Sequence, residues 1–456
     1  MRTTQEMKQI AKQPFLGPLS LIGIPLSGAK LLRRLLQQIS KTTIPDIKTE
    51  FLPYWERGSI GTLKFHWQCF LSSGNKNKFQ HSKRSTYNNR ILLLGPSLTA
   101  VSGVSTHLNQ LLASDLSQNF SIYHFQVGSE GRQEHTIGKL IRLLLSPVGM
   151  IRAIKFYDPS LVHLNTSLDK KAFWRDLAYL FTAKLLKRKI VYQVHGGVLE
   201  KFANSSRFTD FVLKRILSFP DAIVVLSSIE KQAYQRFARV QTLAMIPNAI
   251  DIAEYNISGM SDKRLHRSSG AWQLVYVGRL AEDKGIFDAV EAMHLLRREG
   301  WREDVVLLIA GSGPAEARLR TRIKELDLEE SVRLVGPLFG EQKRRLWLQA
   351  DLFVFPTFHD EGLPYAVLES LASGTPLITT RIGGIPEVAH EGVHAAFVEP
   401  HRPAQVAQAI KTLLADSERL GKMSTECAIQ VQRHYGIARM ARQFAELYGQ
   451  LLEDPA

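Results

Sequence analysis

The chain has 456 residues, of which 45% are hydrophobic and 22% are charged, and its mean hydropathy is −0.10. This length suits two or three domains with sizeable cores, and the composition excludes wholesale disorder and a polytopic membrane protein. The two cysteines, Cys69 and Cys427, lie far apart, so we expect neither a disulfide framework nor a zinc site. A reducing cytoplasm fits this cysteine usage best.

The net charge of +15 is concentrated at the N-terminus. Residues 1–90 hold 15 Lys and Arg against 4 Asp and Glu, whereas the other 366 residues carry only +4. A basic protein can bind nucleic acid, anionic lipid or acidic small molecules. Because the sequence contains no nucleic-acid-binding motif, we expect a lipid or phosphate partner and no nucleic acid.

Residues 1–88 are predicted to form a basic N-terminal extension and linker. The charge-free run at 15–29 is interrupted by Gly and Pro, and it is shorter than the roughly 20 apolar residues that span a bilayer. Lys8 and Lys12 precede it as in a signal peptide, but no clear cleavage site follows, so we do not expect secretion. Residues 29–39 have helical apolar spacing, which fits an interfacial helix or a helix packed on the main body.

From residue 89 onward, short apolar runs alternate with amphipathic segments of helix length, which indicates parallel strands buried on both faces. The first series of predicted strands lies at 91–94, 122–127, 161–164, 190–194, 222–226 and 243–246. The second series lies at 274–277, 305–309, 332–335, 352–355 and 377–379.

These two series predict an α/β protein with two Rossmann-like, doubly wound, parallel-sheet domains. We place the first domain at 89–250, a polar linker at 251–270, the second domain at 271–435 and a C-terminal helix at 436–456. Ligands of such sheets bind beyond the carboxyl ends of the strands. The cleft between the two domains is therefore the predicted site.

Basic residues and glycines follow the first two strands of the second domain. Arg279 ends the stretch VYVGR, and Lys284 opens the next helix with Gly285. Two such cations can bind a diphosphate, although each taken alone is more often a solvated surface residue. In IAGSGP, Gly311 and Gly313 remove side chains and would let a nucleotide approach the backbone.

The segment FPTFHDEGLPYAVLE contains two glutamates, Glu361 and Glu369, separated by seven residues. Pro364 suits the first turn of a helix, so free amides of that turn would form an anion site at the cleft. Glu361 would then lie just before the helix, and Glu369 about a turn and a half along it.

Taken together, VGRL, KG, IAGSGP, FPTFHDEGLPYAVLE and GIPE resemble the retaining glycosyltransferases of family 4, which have the GT-B fold. The resemblance covers residues 88–452. It implies that Arg279 and Lys284 neutralise the diphosphate of a UDP- or GDP-sugar donor, that Glu361 contacts the sugar and that Glu369 binds the ribose. The other implied donor contacts in this half are Gly311, Gly313, Gly362, Leu363 and Pro364. No cofactor and no metal is expected, since the chain has no Asp-x-Asp pair.

Three residues of the first domain also resemble the family's site. Gly103 lies in the loop after the first strand, near the donor phosphate and the acceptor, although the family often has two adjacent glycines where this chain has Ser102 and Gly103. His195 ends a strand, and its imidazole would face the cleft beside the sugar. Asn248 stands in PNAID, where the family has Pro-Asn-Gly, and would adjoin the donor or form a turn.

The mechanism that the resemblance implies is front-face substitution, in which the leaving phosphate helps to deprotonate the acceptor hydroxyl. Glu361 and His195 are the predicted catalytic residues, and they would position the sugar. Fixed cations and helix-start amides would stabilise the departing diphosphate.

Residues 137–156 mix four cations with Leu and Ile, which fits docking on an anionic membrane or ordinary helix packing. We therefore expect a cytoplasmic protein, peripheral on the inner face of the plasma membrane. The expected acceptor is a saccharide or a polyprenyl-diphosphate-linked saccharide, in surface polysaccharide or glycolipid biosynthesis.

Other function classes stay open. A nucleotide-sugar epimerase of the same fold would consume the donor without forming a glycosylated product. A phosphorylase would need pyridoxal phosphate on a lysine, and no lysine is placed for it. A non-catalytic scaffold that binds donor or lipid is disfavoured because the set of donor-site residues is whole.

Overall fold

The computed structural model describes residues 89–453 except for 131–134, 169, 198, 200–202, 204–205, 238–239, 256–270 and 302–303. The predicted extension at 1–88, its candidate helix at 29–39 and Cys69 lie outside the described residues, as does most of the predicted linker.

The first domain is built on a six-stranded parallel sheet with the order β2-β1-β3-β4-β5-β6. Its strands are β1 (Arg90–Gly95), β2 (Ser121–Gln126), β3 (Leu161–Thr166), β4 (Lys189–Val194), β5 (Ala222–Val225) and β6 (Thr242–Met245). The helices are α1 (Gly103–Ala113), α2 (Leu116–Asn119), α3 (Thr136–Tyr157), α4 (Lys170–Leu185), α5 (Arg207–Ile216) and α6 (Ser228–Phe237). The central strands are buried on both faces because helices cover each side of the sheet.

The second domain repeats this architecture with the sheet order β12-β11-β10-β7-β8-β9, again parallel throughout. Its strands are β7 (Trp272–Val277), β8 (Val305–Ala310), β9 (Val332–Gly336), β10 (Leu352–Phe355), β11 (Leu377–Thr379) and β12 (Ala395–Phe397). The helices are α7 (Ile286–Arg298), α8 (Glu316–Glu325), α9 (Gly340–Gln349), α10 (Tyr365–Ala372), α11 (Ile385–Val388), α12 (Pro403–Ala415) and α13 (Ser417–His434). A 3-10 turn, Glu282–Lys284, precedes α7.

The prediction of two Rossmann-like sheets is confirmed, and the eleven predicted strands all overlap strands of the structure. The sequence analysis missed β12, whose three residues are too few to show a pattern. In the second sheet the strand order reverses between β7 and β10, which are neighbours although β8 and β9 separate them in the chain. The crevice beyond such a reversal point is where α/β sheets bind ligands.

The last helix, α14 (Ile437–Glu453), packs on the first domain. Phe444 and Tyr448 join the cluster that contains Ile91 and Leu93 of β1. The Tyr448 hydroxyl lies 2.6 Å from His163 Nδ1. Helix α14, at the C-terminal end of the described residues, therefore packs against the first sheet. None of the described helices is long and apolar enough to cross a membrane.

Replacement of Phe444 by Ala is expected to lower the free energy of unfolding by about 3–5 kcal/mol, because the ring is fully buried between α14 and the first sheet. Urea unfolding followed by circular dichroism measures the change. Arg442→Ala, at an exposed position of the same helix, should stay within about 0.5 kcal/mol of the wild type. Equal losses in the two variants would show that α14 is not anchored through its buried face.

Candidate active site

Two side chains of opposite charge meet where β7 and β10 end. Lys284 Nζ lies 2.5 Å from Glu361 Oε1, and the two side chains are only 14% and 10% exposed. The Thr357 hydroxyl donates a hydrogen bond of 3.3 Å to the same carboxylate oxygen. Lys284 and Glu361 are 77 positions apart in the chain, and the sheet order brings them together at the reversal point.

Gly285 explains why a glycine follows the lysine. Its φ is +72°, and a Cβ at this position would overlap the carbonyl oxygen of Pro356. The turn before α7 and the loop after β10 consequently pack backbone to backbone, and the Phe358 amide donates to the Asp283 carbonyl over 2.9 Å. This close approach places Lys284 within reach of Glu361.

Arg279 stands at the carboxyl end of β7 and is exposed. Its guanidinium forms no ion pair with a carboxylate in the described part of the chain. Beneath it, the buried Tyr276 hydroxyl donates to the carbonyls of Arg279 and Lys284 over 3.3 and 3.4 Å. Burial raises the pKa of Tyr276 well above its ordinary value, so the hydroxyl stays a donor. One side chain thereby fixes the backbone beneath both cations.

Gly311 and Gly313 lie in the loop after β8, against the backbone of residues 278–280. A Cβ on either glycine would overlap a backbone oxygen, that of Gly278 or Leu280 respectively. The Leu280 amide donates to the Ser312 carbonyl over 2.9 Å. The packing of these two loops is therefore enough to require glycine at both positions. That a nucleotide approaches this backbone stays a prediction.

Glu369 is buried on α10, with 5% of its surface exposed. Lys343 Nζ lies 2.5 Å from Oε1, and the Trp347 indole donates to Oε2 over 3.0 Å. Both carboxylate oxygens thus have a protein donor, so a ribose would have to share them. The sequence analysis missed Lys343 and Trp347, which stand four residues apart and therefore on one face of α9.

The segment Gly362-Leu363-Pro364 joins Glu361 to α10. Pro364 is the N-cap, with an extended ψ of 133°, so the helix begins one residue later than predicted. The Val367 and Leu368 amides donate to the Pro364 carbonyl over 3.1 and 3.4 Å, which leaves the amides of Tyr365 and Ala366 in the first turn of α10 for an anion. Asn248 of the first domain donates from Nδ2 to the Leu363 carbonyl over 2.7 Å. Asn248 therefore holds this segment from the opposite side of the cleft.

Gly103 begins α1 and lies opposite the start of α10. A Cβ on Gly103 would approach the Tyr365 ring to 3.7 Å, and the Ser102 side chain caps the helix by accepting from the Ser105 amide. The N-termini of α1 and α10 are thus neighbours across the domain boundary. Because each carries partial positive charge, the two together favour an anion between them.

The ring nitrogens of His195, one of the two predicted catalytic residues, lie against groups of the first domain. Its backbone carbonyl lies against Gly362, but Nε2 lies 2.8 Å from Asn165 Oδ1 and Nδ1 is buried without a partner among the described residues. Both ring nitrogens therefore lie against the first domain, while the residue as a whole is half-buried beside Gly362. The predicted orientation of the imidazole toward the cleft stays a prediction. The catalytic role of His195 stays a prediction.

Two further histidines, His107 and His163, lie beside His195 and were missed by the sequence analysis. The rings of His107 and His195 are edge to face, with centroids 4.7 Å apart. Burial lowers the pKa of His107 to about 4 and that of His163 to about 3, and it lowers the pKa of His195 well below its ordinary value. The cluster is therefore neutral near pH 7. The sequence pattern that could have identified His107 is its position four residues after Gly103, which places both residues on one face of α1.

Glu387, the last residue of GIPE, connects the two domains. Its carboxylate accepts from the Ser228 amide at 2.8 Å, the Ser228 hydroxyl at 2.9 Å and the Ile229 amide at 3.1 Å, at the start of α6. A carboxylate at a helix N-terminus is stabilised by the free amides and the helix dipole. The motif was evident in the sequence, but its partner in the other domain was not.

In the described ranges, no group of three or more His, Cys, Asp or Glu side chains has the geometry to hold a metal ion.

Two family models match the chain in sequence order. The model of Glycosyltransferase Family 4 matches residues 104–254, and that of Glycosyl transferases group 1 matches residues 261–428. Each match covers most of one Rossmann-like domain and extends into the predicted linker at 251–270. The fold and the models define a member of the GT-B group. The chain belongs to glycosyltransferase family 4.

The chain is also similar to individual proteins of known name or structure. The Anabaena protein HepE, solved with UDP, is 17% identical with a TM-score of 0.62, over 79% of this chain and all of that one. An exopolysaccharide phosphotransferase of Streptomyces coelicolor is 29% identical over 68% of this chain and 31% of its own length. The amylovoran biosynthesis glycosyltransferase AmsK of Erwinia amylovora is 34% identical over 32% of this chain and 36% of its own length. The chain thus spans about a third of the length of these curated relatives.

Burial of Glu230, in the first turn of α6, is expected to make the stability of the protein depend on pH. Burial, with a smaller contribution from the charge of Glu387, raises the pKa of Glu230 to about 7. A raised folded-state pKa stabilises the protein fully below the ordinary value of 4.5, and this contribution disappears as the pH rises through 7. We expect the wild type to lose stability relative to Glu230→Gln by the order of 3 kcal/mol across this window. Urea titrations at each pH measure the difference.

Glu446→Gln, which removes an exposed carboxylate from α14, should follow the wild-type pH profile. Parallel profiles for the wild type and Glu230→Gln would contradict the raised pKa.

Proposed function

We propose that this protein is a retaining glycosyltransferase that moves a sugar from a UDP- or GDP-sugar to a hydroxyl of a saccharide or lipid-linked saccharide. The observation that carries the proposal is the shielded Lys284–Glu361 pair at the reversal point of the second sheet, opposite the first domain. Membership of family 4 supports the same reaction class.

The donor diphosphate would lie between Arg279, Lys284 and the N-termini of α1 and α10. All four features carry positive charge, and the guanidinium of Arg279 has no carboxylate partner among the described residues. They would neutralise the charge that develops on the departing nucleoside diphosphate, which is why we propose a metal-independent reaction. The structural neighbour HepE has been solved with UDP and with UDP-glucose, which agrees with a nucleotide-sugar donor.

Glu361 would orient the sugar. When the diphosphate attracts Lys284, the Glu361 carboxylate becomes available to accept hydrogen bonds from sugar hydroxyls, and Thr357 continues to hold one of its oxygens. Glu369 would accept from the ribose hydroxyls while sharing Lys343 and Trp347. Donor binding would thus replace existing hydrogen bonds with new ones and leave few buried polar groups unpaired.

The chemical step would be a front-face substitution. The acceptor hydroxyl attacks the anomeric carbon from the side on which the phosphate leaves, and its proton passes to the departing phosphate oxygen. The bond from the anomeric carbon to the phosphate oxygen breaks as the new glycosidic bond forms, and the configuration is retained. The neutral imidazole of His195 would help to shape the sugar pocket without supplying charge.

The biological setting that we propose is the synthesis of a surface polysaccharide or glycolipid at the cytoplasmic face of the plasma membrane, with a polyprenyl-diphosphate-linked saccharide as the acceptor. The names of two relatives, from exopolysaccharide and amylovoran systems, support this setting.

The test is sugar transfer from a panel of radiolabelled UDP- and GDP-sugars to lipid-linked and soluble acceptors. Lys284→Ala and Glu361→Gln should each lower kcat/KM by about 10²–10³-fold, since each removes a charge placed for the transition state. The matched controls are Lys422→Ala and Glu418→Gln, which break an exposed ion pair on α13 and should leave turnover unchanged. Full activity in both site variants would overturn the site, and a product of inverted configuration would overturn retention.

A further inference from the structure

Beyond the cleft, the positive charge of the two domains is concentrated in one stretch of the first domain. Residues 135–216 hold 15 Lys and Arg against 5 Asp and Glu. Residues 217–456 hold 27 Lys and Arg against 31 Asp and Glu. The stretch that contains α3, α4 and α5 is therefore strongly basic, whereas the rest of the chain after it is slightly acidic.

Exposed aromatic side chains lie on two helices of this basic stretch. Trp174 on α4 is 46% exposed, and Phe208 and Phe211 on α5 are each 66% exposed. The rings of Trp174 and Phe208 are nearly parallel, with centroids 6.3 Å apart, so the two helices present one surface. We call Trp174, Phe208 and Phe211 the aromatic patch. Monomeric proteins seldom leave such a cluster in water unless it binds something.

The aromatic patch lies on the side of the first domain that borders the cleft. Helix α4 follows β3, so its first turn lies near the carboxyl edge of the sheet, and the contact of Phe208 with Trp174 places the start of α5 beside it. Directly after β4, Gly196 pairs with Glu361 in an isolated bridge, which marks this edge as the wall of the candidate site. The patch occupies the first two turns of both helices, and it does not contribute to the cluster formed by α1 and α14 on the opposite face of the sheet.

In the part of α4 and α5 that the structure describes, cations flank the patch and each acidic residue forms an ion pair. Arg207 and Arg215 on α5 are exposed beside the two phenylalanines. The one acidic residue of α5, Asp210, pairs with Lys214 at 3.0 Å. On α4, the single acidic residue is Asp176, which is buried and pairs with Arg175 at 2.8 Å. The exposed charge that α4 and α5 contribute around the patch is therefore positive.

We propose that the aromatic patch docks this protein on an anionic phospholipid surface. Aromatic rings flanked by Arg and Lys suit the headgroup boundary, where the rings enter the apolar layer and the cations meet lipid phosphates. A lipid surface is complementary to an aromatic and positive face on α4 and α5, and docking would turn the slightly acidic second domain toward water. The benefit, which rests on the proposed function, is that the open edge of the cleft would lie beside a lipid-linked acceptor.

The experiment is co-sedimentation of the full chain with vesicles of phosphatidylethanolamine and phosphatidylglycerol, and with vesicles of phosphatidylcholine alone. The triple substitution Trp174→Ser/Phe208→Ser/Phe211→Ser should lower the partition coefficient on anionic vesicles by about tenfold or more. Val335→Ser/Phe339→Ser removes exposed apolar groups of the second domain, 39% and 54% exposed, and should bind as the wild type does.

Two further measurements keep the result decisive. Arg207→Glu/Arg215→Glu changes only exposed charges and should also weaken binding, so the proposal can be tested even if the triple variant fails to fold. Transfer to a water-soluble acceptor should be unchanged in the triple variant. A wild type that binds vesicles through the patch but transfers no sugar would refute the proposed function and support this inference.

Three results would overturn the proposal. The first is equal binding of the wild type and a folded triple variant to anionic vesicles. The second is equally strong binding of the wild type to phosphatidylcholine vesicles, because the cations would then contribute nothing. The third is self-association that the triple variant abolishes in the absence of vesicle binding, which would assign the patch to a second copy of the chain.

Discussion

The ion pair between Lys284 and Glu361 is the interaction on which the rest of the site depends. Removing two charges from water is costly, so such a pair persists only where further groups hold it. Here Thr357 donates to the carboxylate, Tyr276 fixes the backbone carbonyl of the lysine, and Gly285 lets the two loops touch. A pair held at the reversal point of a parallel sheet suits exchange for a ligand that carries both a diphosphate and a set of hydroxyls.

The first domain completes this site from the other side. Asn248 holds the Leu363 carbonyl, Gly196 pairs with Glu361, and Glu387 reaches back to the start of α6. Each contact joins a residue of one Rossmann-like domain to a residue of the other. The neutral histidine cluster adds no charge to the cleft, so the charges there are those of Arg279, the Lys284–Glu361 pair and the two helix N-termini.

The fold could be predicted from the sequence because strands buried on both faces appear as short apolar runs, and because parallel strands require helices between them. Several site residues were recognisable for a local reason, such as the glutamates separated by seven residues in one loop-helix segment. The orientation of His195 could not be predicted, since it depends on Asn165, 30 residues away on the neighbouring strand. Likewise the partners of Glu387 are 159 residues distant, and those of Glu369 become visible only once α9 packs on α10. Local patterns identify the residues, whereas long-range packing decides which atoms they present.

The central claim is that the space between Arg279, Lys284 and the starts of α1 and α10 binds a nucleoside diphosphate. A crystal structure of the full chain with UDP or GDP tests it most directly. The account predicts that the β-phosphate lies within hydrogen-bonding distance of Arg279 and Lys284, with the ribose at Glu369. Well-defined density for the nucleotide elsewhere, with the Lys284–Glu361 pair unchanged, would contradict it.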